Sequence, residues 1–334
     1  MNSSLFLSWN LRGLGRKLKR AAVKKVIGRL KPGAIFIQES KKEIVDTVLI
    51  SQICRRQSRY SFVFSPSAGA SGGLISCWDD TFFSFKRSII HSRYIVCIGT
   101  LLNLNLEVAL VNIYAPNDCS ERRCVWAELK DLVQQLSIPV LIGGDFNVIR
   151  KRSEKMGVHC NKKAMEEFDE FIEDLALIDL PLSGGDFTWC SNREDPVFCR
   201  LDRFLMSIDI LLKWPNVIQK LVASSISDHK PVVLCNTFRR RESRIFRWFD
   251  YWAEEENYDN VIKEAAIKAE GKGIFEFLLH CKHESENWNR RRKAQNSENS
   301  QALENRMLML EKRFQDNPGD IAVKNELKTY RAKL

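Results

Sequence analysis

One nine-residue segment, Pro139-Val-Leu-Ile-Gly-Gly-Asp-Phe-Asn147, constrains this chain more than any other. Val140, Leu141 and Ile142 read as a buried strand. Gly143 and Gly144 read as a bend, or as a place where the backbone approaches a ligand closely. Asp145 and Asn147 then set an acid and an amide two positions apart. Residues two apart on an extended chain point the same way. The pattern therefore predicts a charged acceptor and an amide aimed at one point beyond a strand end, which suits a metal, a water or a phosphoryl oxygen. A plainer reading is a strand closed by an Asx turn, and the segment alone leaves both open.

The arrangement recurs. Leu5, Phe6 and Leu7 run into Ser8-Trp-Asn10, and Ile35-Phe-Ile runs into Gln38-Glu39. Val108 to Val111 leads to Asn112-Ile-Tyr-Ala-Pro116. Arg200-Leu-Asp202 and Ser227-Asp-His-Lys-Pro231 follow later. Several apolar runs that end in a polar group predict a sheet carrying a site at one end. Each residue also has a local reading. Asn10 suits a strand-end turn, Glu39 the first turn of a helix, Tyr114 a core aromatic, and a lone His such as His229 a structural place. Asp228 and His229 are adjacent, so both serve one site only if they lie in a loop.

Between these points the pattern alternates. Arg16 to Leu30 has helical spacing at Leu18, Ala22, Val26 (or Ile27) and Leu30, with a basic face of Arg16, Lys17, Lys19, Arg20, Lys24, Lys25 and Arg29. That face reads either as solvated or as turned toward phosphates. Several strands lie between Tyr60 and Val111, with turns at Ser67-Ala-Gly69 and Asn103-Leu-Asn105. One helix from Ser120 carries Val125, Leu129, Leu132, Val133 and Leu136; another from Asn161 carries Met165, Phe168, Ile172 and Leu175. Strands return near Val197 to Leu201, Val217 to Ala223 and Pro231 to Cys235. This alternation predicts packed sheets covered by helices.

Past residue 237 the character changes. Arg239-Arg-Arg241 and Arg290-Arg-Arg-Lys293 are basic runs. Phe246, Trp248, Phe249, Tyr251 and Trp252 form an aromatic cluster suited to a small helical core. Leu303, Met307, Leu310 and Phe314, then Val323, Leu327, Tyr330 and Leu334, step as two helices. Asn317-Pro-Gly-Asp320 breaks them apart, with Asn317 as the expected N-cap. The expected division is 1–237 and a charged helical region 238–334 ending in a helical hairpin. A protein ending near Cys235 or Thr237 is expected to fold alone.

The chain has 334 residues and a formal net charge of +10, with a pI near 9.1, which favours a polyanionic partner. Its ten cysteines include no CxxC pair, so they read as reduced thiols rather than a zinc site or disulfide framework. There is no secretory leader pattern and no apolar stretch near the roughly 20 residues that span a bilayer. The expectation is a protein of nucleus or cytoplasm, not secreted and with no membrane partner.

In this order, Trp9-Asn-Leu-Arg-Gly-Leu14, Gln38-Glu39, Gly72-Gly-Leu-Ile-Ser-Cys-Trp78, Asn112 to Pro116, Gly144 to Asn147, Phe187-Thr-Trp189, Arg200-Leu-Asp-Arg-Phe-Leu205 and Ser227 to Pro231 resemble the endonuclease/exonuclease/phosphatase superfamily, the DNase I-like fold. The wording is most similar to the endonuclease domain of plant LINE-like non-LTR retrotransposons. The resemblance implies an α/β fold, a DNase I-like two-sheet sandwich flanked by helices and followed here by a helical C-terminal extension. It implies a metal-dependent phosphodiester hydrolase that nicks one DNA strand and leaves a 3′-hydroxyl. Mg²⁺ is the expected cofactor, with Mn²⁺ able to substitute. Glu39 would be the main metal ligand, with Asn10 and Asp228 beside it. Asp145 would deprotonate the attacking water, Asn147 would bond that water or the phosphoryl oxygen, and Tyr114 would donate to the phosphate. Asp202 would orient His229, which would face the phosphate. Trp189 would be a core or wall aromatic, and Arg193 a DNA contact. DNA is the expected partner, joined by element RNA or a reverse transcriptase supplied in trans. The chain holds no YxDD-like polymerase motif and resembles the front end of such an element. One position departs from the repair enzymes of the superfamily, where an acid stands two residues after the first Asn; here it is Arg12. A phosphatase of the same fold acting on a small ester, and a non-catalytic nucleic-acid-binding remnant, are the alternatives.

Overall fold

The computed structural model describes residues 3–54, 60–69, 71–157, 160–191, 195–236, 252–255, 257–271, 273–317 and 319–333. Arg193, Arg239 to Arg241, Phe246, Trp248, Phe249 and Tyr251 lie outside them. The strands are β1 (Ser3–Asn10), β2 (Ala34–Gln38), β3 (Tyr60–Ala68), β4 (Ser71–Asp79), β5 (Phe83–Ile90), β6 (Tyr94–Leu101), β7 (Leu106–Tyr114), β8 (Val140–Asp145), β9 (Lys155–Met156), β10 (Leu177–Asp179), β11 (Leu182–Ser183), β12 (Trp189–Cys190), β13 (Phe198–Cys199), β14 (Asp202–Ser207), β15 (Val217–Leu221) and β16 (Val232–Asn236). The helices are α1 (Lys17–Leu30), α2 (Thr47–Ile53), α3 (Cys119–Leu136), α4 (Lys162–Asp174), α5 (Ile208–Lys213), α6 (Tyr258–Lys268), α7 (Gly273–Asp316) and α8 (Ile321–Lys333).

One sheet runs β11-β15-β16-β1-β2-β4-β3 and the other β10-β14-β8-β7-β6-β5, and the two pack face to face. A small third sheet runs β12-β13-β9. The period of two along each strand decides what lies between the sheets. Phe6 on β1, Phe36 on β2 and Phe204 on β14 meet there, with ring centroids 6.1–6.2 Å apart. The alternate residues Leu7, Trp9, Ile35 and Ile37 face outward and join Val23 and Ile27 of α1 and Ile50 and Ile53 of α2. On the second sheet Val111, Ile113, Val140 and Ile142 face outward onto Val125 and Leu129 of α3 and Phe168 and Ile172 of α4. The result is helix, sheet, sheet, helix, the sandwich expected from the sequence. Edge strand β5 keeps Ser84, Lys86 and Arg87 exposed, which discourages further pairing.

Two local details correct the sequence reading. In α1 the buried residues are Val23 and Ile27, while Leu18 is exposed. The helix is rotated by tertiary packing, and its basic side bonds carbonyls of the preceding loop and of α2. Lys19 donates to the Leu11 carbonyl, Arg20 to those of Leu14 and Gly15, and Lys24 to that of Ser51. Gly143 and Gly144 are also not a bend. Both lie inside β8, where a Cβ on Gly143 would stand 2.3 Å from the Phe204 ring and one on Gly144 1.9 Å from the Ile113 carbonyl oxygen. Close packing, not turning, requires them.

The chain divides into two compact units, 1–239 with Leu310–Leu334, and Arg240–Met309. This differs from the division read in the sequence, because the last 25 residues group with the sandwich. In that unit Leu310, Val323 and Leu327 are buried, Phe314 packs edge-on to Phe198, and Lys230 pairs with Glu311. The helical break falls at Asn317 to Asp320 as expected, but Asp320, not Asn317, caps α8 by accepting from Ala322 and Val323 N–H. In the second unit Trp252, Tyr258 and Trp288 cluster, and Tyr258 bonds Ser285 at 2.8 Å.

Candidate active site

The register of the two sheets gathers the polar strand ends. β1 and β2 are parallel with Asn10 opposite Gln38. β7 and β8 are parallel with Tyr114 opposite Asp145, and antiparallel β14 begins with Asp202 opposite Asp145. Phe6, Ser8 and Asn10 alternate on the inner face of β1, so Asn10 continues the row that packs the interior. Asp145 and Asp202 do the same on the other sheet. The inner faces thus change from aromatic to polar at one end, and the two sheets bond to each other there. Gln38 donates to Asn112 Oδ1 at 2.7 Å, and Asn112 donates to the Ile75 carbonyl at 3.0 Å.

Asn10 is the centre of this end. Its amide nitrogen donates to Glu39 Oε1 and to Asp145 Oδ2, each at 2.9 Å, and its oxygen accepts the Arg12 backbone N–H at 3.1 Å. Asn10 therefore fixes two carboxylates rather than turning its nitrogen outward. Burial, followed by the charges of Glu39 and Asp145, raises the Tyr114 phenol above the usual value. Glu39 has a left-handed backbone, φ 49°, and no helix follows it until Thr47. The helix-start reading of Glu39 is thereby removed.

Asp145 and Asn147 form the Asx turn that the opening segment offered as its plainer reading. The Asn147 N–H donates to Asp145 Oδ1 at 3.0 Å, which is an Asx turn, while Asp145 Oδ2 faces Asn10 and His229. Asn147 sits at φ 50°, so the strand alternation ends before it. One of its amide protons goes to the Ala115 carbonyl at 2.7 Å.

His229 lies in a loop, as sharing a site with Asp228 requires. Its Nδ1 is 2.9 Å and 3.2 Å from the two Asp202 oxygens, and its Nε2 faces Asp145 Oδ2 across 3.8 Å. Thr188 Oγ1 donates to Asp202 at 2.7 Å, and Trp9 Nε1 donates to the His229 carbonyl at 3.0 Å. Asp145, Asp202 and His229 are all buried, and their ligand-type atoms lie within 4.8 Å of one another. Burial opposes a charge on His229, but Asp202 and then Asp145 outweigh it and raise the imidazole to about 9. Burial pushes the Asp145 carboxyl upward, against the pull of His229.

Asp228 stands on the other side of its loop. Trp189 Nε1 donates to its Oδ2 at 3.0 Å, and Arg12 Nε is 3.0 Å from its Oδ1. The site thus joins Asn10, Glu39, Asp145, Asp202 and His229 in one connected set, with Tyr114 opposite Asp145 and Asp228 linked through Arg12, which also lies 3.9 Å from Glu39. Asn147 is tied to its edge. Sequence reasoning did not assign Thr188 or Trp9 a part. Thr188 carried a signal in Phe187-Thr-Trp189; nothing local marks a tryptophan whose partner is 220 residues away.

A family described as Endonuclease/Exonuclease/phosphatase family matches residues 7–229. No curated protein matches the chain. Among solved structures, the AP endonuclease LMAP from Leishmania major is similar at 17% identity and TM-score 0.54, covering 69% of this chain and 87% of that one. The endonuclease domain of TRAS1, a telomere-specific non-LTR retrotransposon, is similar at 17% identity and TM-score 0.51, covering 70% and 99%. The 3′ phosphatase NExo from Neisseria, bound to a product DNA hairpin, is similar at 16% identity and TM-score 0.56, covering 70% and 100%. At these identities the likeness is one of fold.

Proposed function

Because this chain belongs to the endonuclease/exonuclease/phosphatase family, we propose that it is a Mg²⁺-dependent DNA endonuclease of LINE retrotransposon type. It nicks one strand and leaves a 3′-hydroxyl. The observation that carries this reading is the facing pair of His229 Nε2 and Asp145 Oδ2, 3.8 Å apart and buried, each held from behind by a separate partner. A proton donor and a proton acceptor set side by side can serve a phosphoryl oxygen and an attacking water placed over the pair.

The donor beside it that suits a hard divalent ion is Glu39, which offers carboxylate oxygen. Glu39 would hold the ion, and Asn10 and Asp228 are the other residues the resemblance assigns to it. A bound Mg²⁺ supplies charge neutralisation at the phosphoryl and leaving oxygens. Asp145, raised by burial, takes a proton from the water that attacks phosphorus. The bond from phosphorus to the 3′ oxygen breaks, the 3′ oxygen takes a proton from solvent, and a 5′-phosphate remains. His229, held charged by Asp202, donates to a non-bridging oxygen as negative charge grows there. Asn10 keeps Glu39 and Asp145 in register throughout.

The order of the motifs, the net charge of +10 and the fold shared with a retrotransposon endonuclease domain support DNA as the substrate. Element RNA, or a reverse transcriptase acting in trans, is the further partner proposed, in nucleus or cytoplasm. Purified protein should convert supercoiled plasmid to open circle with Mg²⁺ and not with chelator, and His229→Ala should reduce the rate by orders of magnitude while DNA binding persists. Equal nicking with chelator, or a near-normal His229→Ala rate, would overturn the proposal. Hydrolysis of a small phosphate ester without nicking would favour a phosphatase.

A further inference from the structure

Asp228 already has a cation. Arg12 Nε lies 3.0 Å from Asp228 Oδ1 and 3.9 Å from Glu39 Oε1. The second Asp228 oxygen accepts from Trp189 Nε1 at 3.0 Å, and Oδ1 also receives Ser227 Oγ at 3.3 Å. Both oxygens of this carboxylate are therefore engaged by protein donors. Glu39 differs: its cationic neighbours, Arg12 and Lys41, each stand off at 3.9 Å, beyond hydrogen-bond range.

The placement of Arg12 is built by the backbone. Its φ is 47°, a left-handed conformation that a non-glycine residue takes at a cost. Its N–H is fixed to Asn10 Oδ1, and the next residues are tied to the β2 end, Gly13 N–H to the Glu39 carbonyl at 2.6 Å and Leu14 N–H to that of Ser40 at 2.9 Å. The turn brings the side chain back over the ends of β1 and β2. There the side chain is 45% exposed, so it meets both the acids and solvent. A guanidinium does not lose its proton at any working pH.

We infer that Arg12 is a positioning residue that acts as a built-in cation: it keeps Asp228 out of the metal's coordination shell and leaves the divalent ion to Glu39. This rests on the endonuclease reading above and deepens it. With a fixed positive charge beside the ion and one protein carboxylate at it, the ion is held weakly and exchanges readily. The part that Asp228 plays is then to hold Arg12 and Trp189 in place, not to bind metal.

The test is a double-mutant cycle read by Mn²⁺ binding, with free Mn²⁺ followed by electron paramagnetic resonance. Arg12→Ala should bind Mn²⁺ more tightly, by about tenfold for loss of one charge at this distance in a partly solvated site. Asp228→Asn in the wild-type background should leave the affinity within about twofold, whereas in the Arg12→Ala background it should remove the gain. Glu39→Gln should abolish specific binding in every background. If Arg12→Ala binds Mn²⁺ no more tightly than wild type, Arg12 does not act as a built-in cation, and if Asp228→Asn alone abolishes binding, Asp228 is a ligand; either result overturns the inference. Far-ultraviolet circular dichroism and melting of each variant guard against misfolding, and Arg12→Gln gives a second, milder removal of the charge. Plasmid nicking by the wild type tests the endonuclease reading separately. An absence of nicking would sink that reading whatever the cycle shows, and an uncoupled cycle in a protein that nicks would sink only the role of Arg12.

Discussion

Replacing Asp202 by Asn tests the electrostatics of the site most directly. Asp202 is buried, and both of its oxygens lie within 3.2 Å of His229 Nδ1. The imidazole stands at about 9 instead of 6.5, although burial works against its charge. That rise corresponds to about 3 kcal/mol in favour of the imidazolium. Asn keeps the shape and can still accept from Thr188, but it removes the strongest of the charges that raise His229. Burial remains, with only Asp145 and Asp228 still opposing it, so the imidazole should fall toward 6.5. At pH 7.5 the wild type is almost wholly imidazolium, while a variant near 6.5 is so in about one molecule in ten. The nicking rate at pH 7.5 should drop by up to about tenfold, and the alkaline limb of the pH profile should move from near 9 toward 6.5. Nuclear magnetic resonance of labelled histidine reads the same shift without activity, and only five histidines need assignment. A wild-type His229 that titrates near 6.5, or an Asp202→Asn protein whose His229 stays near 9, would refute the reasoning.

The same shift has a stability consequence: a raised imidazole contributes stability that is full below pH 6.5 and lost as pH rises through about 9. Wild type should melt progressively lower over that window by calorimetry, and His229→Gln should show a flatter dependence. Gly144→Ala should be destabilised by at least about 3 kcal/mol in urea, or fail to fold, because the new Cβ would lie 1.9 Å from the Ile113 carbonyl oxygen. Glu311→Ala should cost about 3 kcal/mol by leaving Lys230, 11% exposed, without its buried partner, and should slow nicking because Lys230 adjoins His229. A protein ending at Thr237 lacks Leu310–Leu334 and should melt below the full chain; equal stability would mean that the buried Leu310, Val323 and Leu327 contribute nothing to the sandwich.

Much of this protein is legible along the chain. The apolar runs at Leu5 to Leu7, Val108 to Val111 and Val140 to Ile142 became β1, β7 and β8, and the spacing from Ser120 and Asn161 became α3 and α4 with Asp118 and Asn161 as caps. These are local properties: periodicity, turn chemistry and capping act over a few residues. The ordered polar motifs also marked Asn10, Glu39, Asp145, Asp202 and His229, which the structure joins by direct contacts, and Tyr114, which it sets opposite Asp145. What local pattern could not set was rotation, register and partnership. It placed Leu18 on the buried side of α1, and it offered a bend or a ligand at Gly143 and Gly144 where the Phe204 ring and the Ile113 carbonyl lie. Asn10 meets Asp145 across 135 positions of sequence, and Trp9 meets the His229 loop across 220. Arg12, one acid short of the expected pattern in the sequence, gained its meaning only when the fold set Asp228 and Glu39 beside it. The sequence alone therefore determined which groups end which strands. The tertiary structure decided which of them touch, because contact between two sheets depends on their packing and register, and no short stretch of chain encodes either.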